Sequence, residues 1–103
     1  TYKPAYDEVA ANLKLKKRIS KAYNIWKETI PLYGTLAQAY LNSRDIEYWS
    51  EDIRFHPNLY YSQTKSDIPA MVCAIRRDSQ FAGVHRTFLD ADGNKINKMM
   101  LGG

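Results

Sequence analysis

The last third of the chain sets the tightest constraint on its fold. Pro69-Ala70-Met71-Val72-Cys73-Ala74-Ile75 is an apolar run, Arg77-Asp78-Ser79-Gln80 is a polar link, and Phe81–Leu89 is a second apolar run. Each run is short and β-prone, which reads as a strand rather than a helix. Asp92-Gly93 with Asn94 is a hairpin signal, since these residues tolerate the positive φ of a tight turn. Lys95–Leu101 then returns as a third strand. Strands joined by such short links pair antiparallel, as a β-meander.

Upstream, Ile53-Arg54-Phe55-His56 alternates like a short strand, and Pro57 is expected to terminate it. Residues 58–68 read as a loop, apart from Leu59-Tyr60-Tyr61. The N-terminal half has helical spacing. Residues 5–17 carry a weak pattern through Val9, Ala10 and Leu13. From Lys17 to Thr29 it strengthens, with Ile19, Ala22, Tyr23, Trp26 and Ile30 on one face. Pro31 ends that helix. Thr35 and Gln38 have the spacing of a capping box, and Leu36, Ala37, Tyr40 and Leu41 form the next stripe. That helix should end near Asn42-Ser43. The connector from Arg44 to Asp52 is expected to tuck Ile46, Tyr48 and Trp49 onto the core. The fold class is therefore α+β: two or three N-terminal helices, then a small antiparallel sheet. One domain is expected over 1–103, helical over about 5–50 and sheet over about 53–101.

A chain of 103 residues has room for one modest core. Its 45% hydrophobic and 25% charged residues exclude wholesale disorder. No apolar run approaches the roughly 20 residues that span a bilayer, so no membrane partner is expected. Thr1-Tyr2-Lys3-Pro4 shows neither a signal peptide nor an initiating Met, and Leu101-Gly102-Gly103 follows an apolar stretch without a closing element. The expectation is a fragment of a larger protein. Cys73 is the single cysteine, so no intramolecular disulfide forms and a cytoplasmic location is the simplest reading. Within its apolar run it reads as a small buried hydrophobe. A catalytic thiol needs a base and exposure; His85 could approach across a hairpin, but the spacing does not demand it.

The net charge of +4 suits a polyanionic partner without requiring one. Its placement is more telling. Lys14, Lys16, Lys17, Arg18 and Lys21 form one cluster; Arg76, Arg77, Arg86, Lys95 and Lys98 form another. The first reads as a solvated helix face, with phosphate-backbone binding as the alternative. Alternation puts Phe81, Gly83, His85, Thr87 and Leu89 on one face of their strand, and Ala82, Val84, Arg86 and Phe88 on the other. An arginine among apolar neighbours either snorkels at a sheet rim or points into a groove. Gly83 permits close backbone approach or a bulge. Tyr60-Tyr61 read as core lids, with base stacking as the alternative. Asp90-x-Asp92-Gly93-Asn94 looks like the start of a calcium loop, but the twelfth position is Leu101 rather than glutamate. His56 and His85 lack zinc-ligand spacing. With no phosphate loop and no Ser-His-Asp signal, no self-contained active site is expected.

One ordered set of motifs resembles a known family. Gly34-Thr35-Leu36-Ala37-x-x-Tyr40-Leu41-x-x-Arg44-x-Ile46 is followed by Ile53-Arg54-Phe55-His56-Pro57, then Pro69-Ala70-Met71-Val72, then Gly83-Val84-His85-Arg86-Thr87-Phe88-Leu89, then Lys98-Met99-Met100-Leu101-Gly102. This order is similar to the segment before the toprim domain in phage-, plasmid- and mobile-element-type DNA primases and primase-helicases. It resembles more distantly the N-terminal subdomain of the catalytic core of bacterial replicative primases. The resemblance covers roughly residues 20–103 and leaves 1–19 unmatched. It implies a part in RNA primer synthesis: weak binding of single-stranded DNA template and packing against an adjacent toprim domain. By position, Arg86 matches the strand arginine and Lys98 the lysine of the next segment. Arg54, Arg76, Lys95 and His85 are neighbouring candidates for nucleic-acid contact. Ser79 stands where the family's turn usually has glycine. The toprim Glu and Asp-x-Asp signature is absent from these residues, so magnesium is expected in a toprim domain further along and no cofactor in this segment. The segment alone is expected to be catalytically silent. The alternative is a non-enzymatic interaction or scaffold module of a mobile-element or conjugative-transfer protein.

Overall fold

The computed structural model describes the backbone of residues 6–102 and the side chains of residues 11–102. Val9 and Ala10, expected on the helix face, lie outside the described side chains. Both N-terminal helical patterns belong to one helix, α1 (Tyr6–Lys27). Of its side chains Ala22 is buried and Leu15, Ile19, Ile25 and Trp26 are half-buried; Ala22, Ile25 and Trp26 meet the core. Tyr23, expected on the core-facing side, stays 46% exposed. The helix stops before Pro31: the Thr29 hydroxyl donates back to the Trp26 carbonyl, and Ile30–Pro31 pair as a short strand, β1. The second helix, α2, runs Leu36–Ser43.

The expected capping box does not form. Thr35 makes no side-chain cap; its hydroxyl donates to the Leu32 carbonyl, while Gln38 Oε1 accepts from the Gly34 N–H. At the other end Asp45 takes a positive φ, and the Asp45 and Ile46 N–H groups donate to the Asn42 and Leu41 carbonyls. That is a Schellman closure. No third helix follows among the described residues. In the connector only Trp49 reaches the core; Tyr48 is 89% exposed and Ile46 40%. The connector passes the sheet edge with too little apolar surface to fold under it.

Four longer strands follow: β2 (Ile53–Tyr61), β3 (Ser66–Arg77), β4 (Gln80–Leu89) and β5 (Lys95–Gly102). With β1 they form one antiparallel sheet in sequence order. Pro57 does not terminate β2. The β2–β3 register slips between His56 and Leu59, so Pro57 and Asn58 sit in a bulge where no ladder donor is needed. The stretch read as a loop is therefore a hairpin, closed by residues 62–65, whose Leu59 and Tyr61 are buried. Asp78 and Ser79 form the two-residue β3–β4 turn, both with positive φ. That is the type I′ pattern, adopted here without glycine.

The sheet buries both faces. On the α1 side, Ala22 packs with Leu59, Tyr61, Ala70, Val72, Val84 and Phe88. On the α2 side, Leu32, Ala37 and Leu41 pack with Phe55, Met71 and Leu89. Complete burial of a side chain such as Phe88 contributes about 2–3 kcal/mol. A register slip at Ile75/Arg76 puts an extra β4 residue opposite β3. As a result Phe81 joins the α1 side rather than the face of His85, where strict alternation would put it.

Candidate nucleic-acid interface

Cross-strand pairing fixes which cations share a face, since partners on neighbouring strands point the same way. Arg54, Val72, Arg86 and Met99 form one row on the α1 side. Cys73, His85 and Met100 form a row on the other side, as do Met71, Thr87 and Lys98. Lys95 pairs with Leu89, also on the α2 side. The six candidate residues thus divide. Arg54, Arg76 and Arg86 lie toward α1; His85, Lys95 and Lys98 lie toward α2. They do not converge on one groove.

Two of the α1-side arginines are already engaged. Arg54 donates from Nε to the Thr29 hydroxyl at 2.8 Å and from Nη2 to the Thr29 carbonyl at 3.2 Å. Its guanidinium lies 5.9 Å from the Trp26 ring centre. Arg76 is bidentate on Asp52, at 2.9 and 3.0 Å. That pairing raises its pKa through hydrogen bonding and then charge.

Arg86 differs. It is half-buried, its Nε has no partner, and it forms no ion pair among the described residues. Its one hydrogen bond is long, from Nη2 to the Met100 carbonyl at 3.4 Å, and its guanidinium stands 5.8 Å from the Phe88 ring centre. Burial alone pushes its pKa down. A half-desolvated cation without a counter-charge would be stabilised by any anion that reached its exposed edge.

The other basic cluster lies on α1, the helix that packs on β4 and β5. At about 100° per residue, Lys14, Lys17, Arg18 and Lys21 fall within an arc of about 100° that also takes in the half-buried Ile25 and so borders the core-facing side. The opposite flank is identified by Tyr23, whose ring meets Phe81 edge-on at 5.3 Å near the β3–β4 turn. Just past the end of α1, Glu28 Oε1 lies 3.1 Å from His56 Nε2. His56 pairs with Ala70, and Ala70 with Phe88. Because α1 packs on β4 and β5, the stripe belongs to the helix on the same side of the sheet as Arg86. Its lysines and arginine are all exposed. Spacing alone grouped these residues as a solvated face; their common side with Arg86 follows from helix packing.

The remaining candidates have plainer roles. His56 accepts from the Asn58 N–H at Nδ1, which leaves its proton on Nε2 to face Glu28. Both bonds brace the bulge. Cys73 and His85 are direct cross-strand partners, yet burial raises the Cys73 pKa and only Lys98 opposes this. A thiol held protonated is a poor nucleophile. Tyr61 is a core residue, its ring 4.5 Å from that of Phe88, whereas Tyr60 is exposed. Asp90 Oδ1 accepts from the Asp92 and Asn94 N–H groups, an Asx turn that holds its pKa down. Among the described residues no group of three or more His, Cys, Asp or Glu is placed to hold a metal ion. No helix among them is long and apolar enough to cross a membrane.

A family model described as a domain of unknown function (DUF7146) matches residues 16–103, and the chain belongs to that family. No match appears among curated proteins or among solved structures.

Proposed function

We propose that this DUF7146 domain is the template-holding subdomain of a primase-like toprim protein. It binds single-stranded DNA weakly and supports an adjacent toprim domain, which carries magnesium and the chemistry of RNA primer synthesis. The observation that carries the reading is Arg86, a half-buried guanidinium without a counter-charge among the described residues, on the side overlooked by the basic flank of α1. Five cations then serve one strand: Arg86, Lys14, Lys17, Arg18 and Lys21. Lys98 and Lys95, on the other face, contribute to the general field or to the toprim contact. The ordered motifs from Gly34 to Gly102 supply the link to primases.

Binding through up to five phosphate contacts predicts that log affinity falls with log salt at a slope of about −2 to −3.5. Fluorescence anisotropy of a labelled oligonucleotide over a salt series measures it. A flat salt response, or binding equally strong after neutralising Lys17 and Lys21, would sink the reading. A second reading is a non-enzymatic interaction module of a mobile-element or conjugative-transfer protein. It rests on Ile96 and Met100 of edge strand β5, 48% and 56% exposed. A Glu and Asp-x-Asp pattern on βα units in the coding sequence after residue 103 favours primase over this module.

A further inference from the structure

We propose that a cleft whose lining does not include Arg86 binds one nucleotide, with its base against tryptophan and its phosphate on a pair of clamped arginines. The cleft lies between the end of α1, the 44–52 connector and the β2 and β3 strands, with a volume of about 710 Å³. That lies within the roughly 300–1,000 Å³ typical of small-molecule sites. Trp26 and Trp49, the only two tryptophans of the chain, both line it, with Tyr23. Both indoles are only partly buried. An aromatic ring left half in water within a concavity is a platform for any nucleobase, because every base has a π face.

The cations of the cleft are Arg54, Arg76 and Lys27. Both arginines are held by one edge. Arg54 spends Nε and Nη2 on Thr29, and Arg76 spends the same two atoms on Asp52. In each, Nη1 remains for a ligand. A guanidinium already fixed in place loses little freedom on binding, which favours a planar or tetrahedral oxyanion over a diffuse ion atmosphere. The lining sets three cations against the carboxylates of Glu51 and Asp52, and Asp52 is committed to Arg76. Indoles beside free arginine edges suit a nucleotide. An acidic peptide would use the arginines and leave the indoles idle. The ligand chemistry is the same for a free triphosphate and for an unpaired residue of a strand.

Because both tryptophans line the cleft, intrinsic fluorescence reports on it. The protein is titrated with ATP, with a short oligodeoxyadenylate and with inorganic phosphate, each corrected for absorption. Saturable quenching by ATP identifies a free-nucleotide pocket; quenching by the oligonucleotide alone identifies a strand residue. In either case Arg76→Ala, an exposed site, weakens apparent affinity about tenfold, and Lys65→Ala at the distant β2–β3 turn leaves it unchanged. Arg54→Lys keeps the charge but loses the fixed Nη1, and weakens binding independently of Arg76. The proposal is overturned if neither ATP nor the oligonucleotide gives a saturable change. It is equally overturned if phosphate alone reproduces the change, or if both folded arginine variants bind as the wild type does. Oligonucleotide anisotropy that persists when quenching is absent removes the pocket and leaves the strand-binding role of Arg86 standing.

Discussion

Replacing Arg86 by methionine separates a residue kept for binding from one kept for folding. In the folded domain its Nε is buried without a partner. An unsatisfied buried donor costs about 1–3 kcal/mol, and half exposure with solvent screening reduces this to about 1 kcal/mol. Against this stand the Phe88 ring at 5.8 Å, worth about 0.5 kcal/mol, and the long bond to the Met100 carbonyl, worth little. Methionine matches the arginine stem in length and packs on Phe88 and Met99. The net expectation for Arg86→Met is a gain of about 0.5 kcal/mol, or a rise of about 2–4 °C in melting temperature for a domain of this size. Oligonucleotide affinity should fall about tenfold at low salt, as one charge-assisted contact is lost. Circular dichroism melts and anisotropy titrations on the same preparations read both quantities. A variant that melts more than about 5 °C lower, with unchanged DNA affinity, would refute the reasoning: Arg86 would be a structural residue.

Three further outcomes test the fold that presents the site. A Cβ on Gly83 would stand 2.4 Å from the Leu101 carbonyl oxygen, a backbone atom that cannot swing aside; Gly83→Ala should cost roughly 1–3 kcal/mol in urea melts and loosen β5. Ser79 holds a φ of 66° in the β3–β4 turn, so Ser79→Gly should stabilise by about 0.5–1 kcal/mol in the same assay. Asp90 has its pKa lowered first by the Asn94 N–H; its stabilising effect is full above the unfolded carboxylate pKa and is lost as pH falls through the lower folded value. Melting temperatures of wild type and Asp90→Asn should therefore differ at neutral pH and converge as the medium is acidified below the ordinary carboxylate range.

The strands of the last third were legible because their alternation and their turn residues agree. Arg86 came out on the face of Val84 and Phe88, and Asp92-Gly93 closed the β4–β5 hairpin. The β2–β3 hairpin was not legible. Its tip is polar, only Leu59, Tyr61 and Ile68 turn toward the core, and Pro57 reads as a stop unless a bulge excuses its missing donor. The merging of a weak helical pattern over 5–17 with the stronger one after it into α1 depended on the sheet beneath them. For the candidate site, residue type flagged the cations, but their state depends on distant partners. Thr29 captures Arg54 and Asp52 captures Arg76, over sequence separations that no local pattern encodes. The common side of Arg86 and the α1 stripe likewise required knowing which face of the sheet α1 covers.

The central claim is that a single strand lies between the basic flank of α1 and Arg86. Amide chemical-shift mapping during titration with single-stranded DNA, at low and moderate salt, tests it most directly. The account predicts salt-sensitive shifts at Lys14–Lys21 together with Arg86 and its neighbours Phe88 and Met99. Shifts confined to the helix, shifts on the Lys95–Lys98 side alone, or no shifts at low salt would contradict it.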